Sequence, residues 1–219
     1  MAGAVPKIVD HEKRRTELVG ATWRVICRVG LHNTTVGLIA AEAGYSHGIV
    51  AHYFSNKSDV LFAAHQLTFS RLKHQVDGLL QGFEDAPAAA RLRTIFDWML
   101  PLDTERLIEA EVELNFWGQA VTTGDLLAAR TAAFETELAQ WWVPLIAGCR
   151  RDGALVGSGT DESIAKTIMA FIDGISAYSV LFAQHYDFDT IAHLGVQFLS
   201  GIISPVPEPL VKGYNPLRP

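Results

Sequence analysis

The chain has 219 residues, of which 49% are hydrophobic and 19% charged, with a formal net charge of −6. This composition supplies a sizeable core and excludes an intrinsically disordered protein. No apolar run approaches the ~18 residues of a membrane span, and residues 1–10 lack the apolar segment of a secretory signal. We therefore expect no membrane partner. The two cysteines lie far apart, so we expect buried thiols in a reducing compartment, and hence a cytoplasmic protein.

Helical patterns extend over most of the chain and predict an all-α fold. Gly30 ends the first helix, Ser55–Asn56 caps a long helix that links two domains, and Thr160 caps a later helix. Outside residues 34–57, we predict helices over 11–29, 57–82, 87–100, 103–121, 125–151 with a kink at Pro144, 161–184 and 187–203. The proline-rich tail, 204–219, is expected to be extended or disordered.

Residues 34–57 contain two short helices with apolar faces, joined by a tight turn at Ala43–Gly44. The first helix places Val36, Ile39 and Ala40 on one face, and the second leads to an aromatic anchor. Two helices that cross steeply at a turn containing glycine are typical of a helix–turn–helix motif. The second helix of such a motif enters the DNA major groove while the first crosses the backbone.

Residues 18–62 resemble the DNA-binding domain of the TetR family of bacterial transcriptional regulators, and the run GIVAHYF is similar to its BetI-like branch. The matching positions are Thr34, Thr35, Ile39, Ala40, Ala43, Gly44, Ser46, Gly48, His52, Tyr53, Phe54, Lys57 and Leu61. Ala51 departs from the pattern, because many members of the family have a tyrosine there that contacts phosphate or base.

The resemblance implies a ligand-responsive regulator, most often a repressor, that binds a palindromic operator as a homodimer and leaves it when a small-molecule effector binds. It also implies an N-terminal three-helix DNA-binding domain and a larger helical domain for effector binding and dimerisation. We therefore predict domains over 1–57 and 58–203, followed by the tail 204–219.

The DNA contacts are expected from the start of the first motif helix, from the second helix and from the lysine that follows it. The predicted DNA-binding residues are Thr34, Thr35, Tyr45, Ser46, His47, Gly48, Ile49, His52, Tyr53 and Lys57. The charge distribution agrees with DNA binding by the first part of the chain. Residues 1–60 carry seven Lys and Arg against five acids, whereas residues 61–219 carry eleven Lys and Arg against nineteen acids. Only the first part can face phosphate without net repulsion.

Residues 105–121 form a helix with a wide apolar arc. The predicted solvent face carries Arg106, Glu109 and Glu113, and a polar stripe inside the apolar arc consists of Glu111, Asn115 and Gln119. This stripe either bonds neighbouring helices or the dimer partner, or lines an effector pocket. The predicted effector-binding residues are Trp98, Glu111, Asn115, Trp117, Gln119, Trp141, Asp173 and Tyr178. A glutamate near tryptophan suits a cation, and the BetI-like branch responds to choline, but the effector stays unidentified.

The helix over 161–184 has two apolar regions, which implies burial on two sides. One side would meet the domain core, and the other would meet a second subunit, as the last two helices do in TetR-like proteins. The predicted dimer residues are Ile168, Ile172, Ile175, Ser179 and Phe182.

The sequence offers no catalytic pair, metal-ligand spacing or cofactor motif. Residues 44–48 match the G-x-S-x-G pattern of hydrolases, but alanine-rich helical sequence precedes them where that pattern requires a strand. His47 and His52 are five residues apart, which does not place them together on one helical face as metal ligands. Two alternatives stay open: a helical enzyme or carrier without a DNA role, and a helical module that binds protein.

Overall fold

The computed structural model of the chain describes residues 7–122 and 124–210, apart from the side chains of residues 7–12, 57, 58 and 79. Within these residues the fold is helical and has no β-strand, which confirms the predicted all-α class. The helices are α1 Lys7–Val29, α2 Val36–Ala43, α3 His47–Tyr53, α4 Lys57–Gly82, α5 Ala88–Met99, α6 Thr104–Ala120, α7 Gly124–Thr136, α8 Val143–Arg151, α9 Asp161–Leu181 and α10 Phe188–Ser200. Part of the predicted tail, 211–219, lies outside the described residues.

The chain divides into two compact units, one ending at Ser70 and the other beginning at Arg71. Helix α4 belongs to both, because it continues without interruption from residue 57 to residue 82. The predicted boundary at residue 57 falls at the start of this helix.

The first unit owes its short helices to local capping. The Thr35 side chain accepts a hydrogen bond from the Leu38 amide at the start of α2, and Gly44 ends that helix with a φ of 71°. Such a left-handed conformation favours glycine, because it has no Cβ to clash. The Ser46 side chain accepts from the Ile49 amide and so caps α3. The Gly44 conformation confirms the turn predicted at Ala43–Gly44, whereas the Ser46 cap was not predicted.

A single apolar cluster packs the described helices of the first unit together. Its buried members are Leu18, Ala21, Val25, Ile39, Ala40, Val50, Phe54, Val60 and Ala63. Because α3 is only seven residues long, it would be marginal on its own in water, and this packing is what keeps it helical.

Stacked aromatic rings lie in the second unit between α5, α9 and α10. The ring centroid of Phe171 lies 4.0 Å from that of Phe198 and 5.9 Å from that of Phe96. Helix α10 approaches this stack closely at Gly195, where a Cβ would lie only 2.8 Å from the Leu100 side chain. A larger residue at position 195 would therefore separate α10 from α5.

The predicted kink at Pro144 takes a different form. Residues Glu137–Trp142 form a π-helical turn between α7 and α8, and Pro144 follows it near the start of α8. Proline has no amide hydrogen and its ring collides with the carbonyl of the preceding turn, which is consistent with a wider helical turn directly before it. Single π-helical turns are frequent at functional sites.

Helix α9 is the one helix, among the described residues, that is long and apolar enough to cross a membrane, with a mean hydropathy of 1.4. Core helices of folded proteins often meet the same criterion. Here Ile164, Ile168 and Ile172 are buried in the core of the second unit, and the Thr160 side chain caps the helix by accepting from the Ser163 amide.

Candidate nucleic-acid interface and ligand cavity

One surface of α3 is open to solvent. His47, Gly48, Ile49, Ala51 and His52 are all exposed. Ile49 retains 37% of its accessible surface, and a Cβ added to Gly48 would meet no atom within 4 Å. The surface thus combines two imidazoles, one apolar side chain and a glycine that leaves the backbone accessible. Hydrogen-bonding groups and apolar side chains are what contact base edges and thymine methyl groups in a major groove.

The opposite side of α3 fixes its orientation. Val50 is fully buried, and Phe54, which follows the helix, is 5% exposed. A charged clamp then joins α1 to α2, because Arg24 and Arg28 each lie 2.7 Å from one carboxylate oxygen of Glu42. Hydrogen bonds from Arg24 and then Arg28 hold the pKa of Glu42 below its ordinary value. The helix–turn–helix is therefore held on both sides of its turn.

The remaining predicted DNA-binding residues have mixed positions. Thr35 is exposed at the start of α2, but Thr34 is buried and its hydroxyl donates to the Gly30 carbonyl at 2.9 Å. The Tyr45 hydroxyl donates to Glu17, and Tyr53 packs half-buried against the core with its ring edge-on to His52. The side chain of Lys57 lies outside the described residues. Thr34 therefore fits a structural role better than the predicted phosphate contact.

The orientation of α6 differs from the predicted one. Asn115 is exposed, and its amide donates to the Glu111 carbonyl at 2.8 Å, so the expected buried stripe is not buried within the chain. Arg106, expected to face solvent, is only 8% exposed. The reason is local: its guanidinium lies 2.6 Å from Asp103 and donates to the Asp97 carbonyl at 3.0 Å. These partners compensate the cost of burying the charge, which apolar periodicity alone does not reveal.

A cavity of about 320 Å³ lies beside Arg106 on α6. It is lined by Arg71, Gln75, Trp98, Asp103, Glu105, Arg106 and Glu109, from α4, α5 and the start of α6. Arg71 lies 3.4 Å from Glu105, and Arg106 pairs with Asp103, whereas Glu109 has no ion-pair partner among the described residues. Burial, and then the neighbouring Glu105, raise the pKa of Glu109 to about 7. Apolar periodicity places Glu109 on the solvent face of α6 and therefore gives no sign of a buried carboxyl group here.

The predicted effector residues do not converge on one cavity. Trp98 lines the cavity beside Glu109, whereas Trp141 is fully buried and its indole donates to Asp77 at 3.3 Å. Glu111 and Gln119 are half-buried on the other side of α6. Tyr178 is exposed and touches Phe182 and Tyr186 edge-on. The residues predicted to line one effector pocket thus lie in several separate places.

Trp117 and Asp173 belong to a further cluster around Arg130. The guanidinium of Arg130 lies 5.2 Å from the Trp117 ring centroid, 3.4 Å from Asp173 and 3.9 Å from Glu137. Burial raises the pKa of Glu137 to about 7 and that of Asp173 to about 6, and nearby Glu113 raises both. Neither Arg130 nor Glu137 was among the predicted effector residues. They meet because α7 and the π-helical turn pack against α6 and α9.

These raised pKa values predict that the second unit loses stability as pH increases. Between about pH 4.5 and pH 7 the native Glu137 keeps a proton that the unfolded chain releases, so a higher pH favours unfolding. Urea unfolding at pH 5.5 and pH 8 should show the loss, and Glu137→Gln should reduce it by roughly 1–3 kcal/mol. Glu135→Gln, an exposed change on the same helix, is the control. An equal pH dependence in all three proteins would refute the assignment.

The predicted dimer residues need correction. Ile168, Ile172, Ile175 and Ser179 are at most 8% exposed in the single chain, so they have almost no surface to offer a partner. The most apolar face of α9 is buried inside its own unit, so it does not need a second chain to cover it. Phe182 is exposed and contacts Tyr178, and the other exposed large hydrophobic residues of α9 and α10 are Leu181 and Val196.

Comparisons with known proteins cover both units. The sequence model of the bacterial regulatory proteins of the tetR family matches residues 18–64, and that of the C-terminal part of BetI-type transcriptional repressors matches residues 88–204. The chain is 27% identical to the HTH-type transcriptional regulator PksA of Bacillus subtilis over 198 residues, which cover 90% of this chain and 94% of PksA. It is 29% identical to the regulator BetI of Vibrio parahaemolyticus, over 84% of this chain and 89% of BetI.

Among solved structures, a Saccharomonospora viridis protein described as a transcriptional regulator, in complex with choline, has the same fold. It superposes with a TM-score of 0.76 at 21% identity, over 88% of this chain and 99% of that one. The C-terminal match spans more than half of the chain, and the N-terminal match falls on the helices that present α3. The chain therefore belongs to the TetR family of bacterial transcriptional regulators and has a C-terminal region of the BetI type.

Proposed function

We propose that this regulator is a cytoplasmic repressor that binds a palindromic operator as a homodimer and leaves it when a small organic cation binds the second unit. The exposed surface of α3 carries the DNA part of the proposal. His47, Gly48 and Ile49 begin the helix, where recognition helices contact base edges. The domain roles follow from this, with residues 1–57 binding DNA and residues 58–203 binding effector and dimerising.

The homodimer part of the proposal rests on an apolar patch at the end of α9 and on α10. Tyr178, Leu181, Phe182 and Val196 each keep between 39% and 59% of their surface exposed. Exposed large apolar side chains are typical of a protein–protein contact when they lie together, and Tyr178 and Phe182 do contact each other. A twofold contact there would give the complex two copies of α3, which suits an operator with two half-sites.

The effector part rests on the cavity beside Glu109. Its other two carboxylates are paired with arginines, so Glu109 is the acid that a cation would neutralise. Trp98 borders the same cavity, and Arg106 already lies 5.5 Å from its ring centroid, a distance typical of a cation–π contact. Choline, which the Saccharomonospora viridis protein binds, is therefore the probe of choice.

Helix α4 offers the route from effector to DNA. Arg71 and Gln75 of this helix line the cavity, and the same helix begins at residue 57, directly after the DNA-binding motif. A ligand that binds one arrangement of α4 more tightly than another shifts the population toward it. Couplings of this kind are ordinarily about 1–3 kcal/mol per effector.

The effector site is tested by Glu109→Gln. We expect choline to release the wild-type protein from the DNA upstream of its own gene, and the variant to need at least about tenfold more choline because the counter-charge is lost. Choline binding should also release protons near pH 7, because a cation lowers the raised pKa of Glu109. Gel-shift titrations measure the release, and calorimetry in two buffers measures the protons.

Glu111→Gln is the matched control, since Glu111 lies two residues further along α6 on another face. It should respond to choline as the wild type does. If Glu111→Gln loses the response and Glu109→Gln keeps it, the polar stripe predicted from sequence is the effector site instead. A protein that choline never releases would contradict the cationic effector but leave the DNA interface intact.

A further inference from the structure

The second unit has a further cavity besides the one beside Glu109. This cavity of about 340 Å³ lies among the end of α4, the start of α5, the π-helical turn and α8. Its apolar wall includes Leu80, Trp141, Pro144 and Leu145, and its polar side includes Arg91 and Arg151. A volume of this size is in the range of small-molecule sites.

The two arginines of this cavity lack the partners that the other arginines have. In the described part of the second unit, the guanidinium groups that lie within 4 Å of a carboxylate belong to Arg71, Arg93, Arg106, Arg130 and Arg150. Arg91 and Arg151 form no such pair there, and both line the same cavity. The Nε atom of Arg91 is moreover buried without a hydrogen-bond partner among the described residues.

Two acids, Glu84 and Asp152, also line the cavity, and neither forms an ion pair with these arginines among the described residues. Asp152 lines the cavity, but its Oδ2 atom accepts the Ala88 amide at 3.1 Å and so caps the start of α5. Glu84, two residues beyond the end of α4, is exposed. A buried donor without a partner costs free energy, and an anionic ligand would supply the missing acceptor.

The walls of the cavity are held by close packing. A Cβ on Gly148 would lie 2.7 Å from the Cβ of Ala88, so α5 and α8 touch there without a side chain between them. The same Cβ position is 3.8 Å from Nη2 of Arg151, which places that guanidinium back along α8 beside the cavity.

From this arrangement we infer a second ligand site, in which Arg91 and Arg151 bind the carboxylate of a small organic acid while its apolar body lies against Leu80, Pro144 and Leu145. The planar fork of arginine matches a carboxylate, and the apolar wall distinguishes such an acid from an inorganic anion. The site goes beyond the proposed function, because it uses none of the residues that line the cavity beside Glu109.

Hexanoate is the probe, and calorimetry with the full chain is the measurement. We expect the wild type to bind hexanoate, and Arg91→Gln and Arg151→Gln each to weaken binding by at least about tenfold. Arg150→Gln is the matched control, since it removes a neighbouring charge of α8 that pairs with Asp161 and does not line the cavity. It should bind as the wild type does.

Hexanol, which has the same apolar body without the charge, should bind at least about tenfold more weakly than hexanoate. Equal binding of hexanol, or unchanged binding of hexanoate in both arginine variants, would overturn the inference. If the variants fail to fold, crystals of the wild type with 6-bromohexanoate decide the matter. Anomalous bromine density inside this cavity supports the site, and density elsewhere or none refutes it.

Discussion

Gly48→Asp should weaken operator binding by at least about 30-fold while the chain stays folded. A Cβ at position 48 would meet no atom within 4 Å, and an acid near the start of α3 suits the positive end of the helix. On DNA, however, the carboxylate would face the phosphates and prevent the close approach of the backbone. Disrupted base contacts cost about 1–3 kcal/mol each, and a dimer carries two copies of the change.

Fluorescence anisotropy with labelled operator measures this loss, and circular dichroism checks the fold. Gly118→Asp is the matched control, because a Cβ at Gly118 on α6 also meets no atom within 4 Å. It adds the same charge to the second unit, so it should leave operator affinity within about twofold of the wild type, a difference below 0.5 kcal/mol. Equal operator affinity of the Gly48 variant and this control would mean that α3 does not contact the operator.

Arg106→Gln should destabilise the second unit by about 1–3 kcal/mol. The guanidinium donates to the carbonyls of Asp97 and Trp98 at the end of α5, at 3.0 and 3.3 Å. It also donates twice to Asp103, which caps α6. Removing it leaves two carbonyls and a partly buried carboxylate without their partner, whereas glutamine is too short to reach all of them.

Urea unfolding followed by circular dichroism measures this effect. Lys166→Gln is the control, since Lys166 and Glu162 form an exposed pair on α9, and such pairs contribute about 0–1 kcal/mol. A similar small loss for both variants would mean that Arg106 does not hold α5 to α6.

The DNA-binding motif was predictable because its signals are local. The turn at Ala43–Gly44 was predicted from adjacent residues, and the Thr35 and Ser46 side chains that cap α2 and α3 also act within four residues of the chain. Val50 and Phe54 also follow directly from apolar spacing, and both are buried as an anchor must be. Thr34 was the exception, because its hydroxyl is taken by a carbonyl four residues earlier.

The ligand region was less predictable because its geometry depends on contacts distant in sequence. Periodicity assigned Arg106 and Glu109 to solvent, since it cannot foresee that the end of α5 supplies carbonyl acceptors. In the helix predicted over 161–184 it placed Ile168, Ile172 and Phe182 on one apolar face and could not distinguish which of them the chain buries. The unit buried Ile168 and Ile172 and left Phe182 outside.

Selection from random duplex DNA, followed by footprinting of the enriched site, tests the central claim that the open surface of α3 reads an operator. We expect a palindrome whose half-sites are one or more helical turns, ~34–36 Å, apart, with protection in successive major grooves. We also expect that affinity falls steeply as salt rises, because bound cationic side chains release counterions. Enrichment of no palindrome, or an affinity that stays flat across the salt series, would contradict the account.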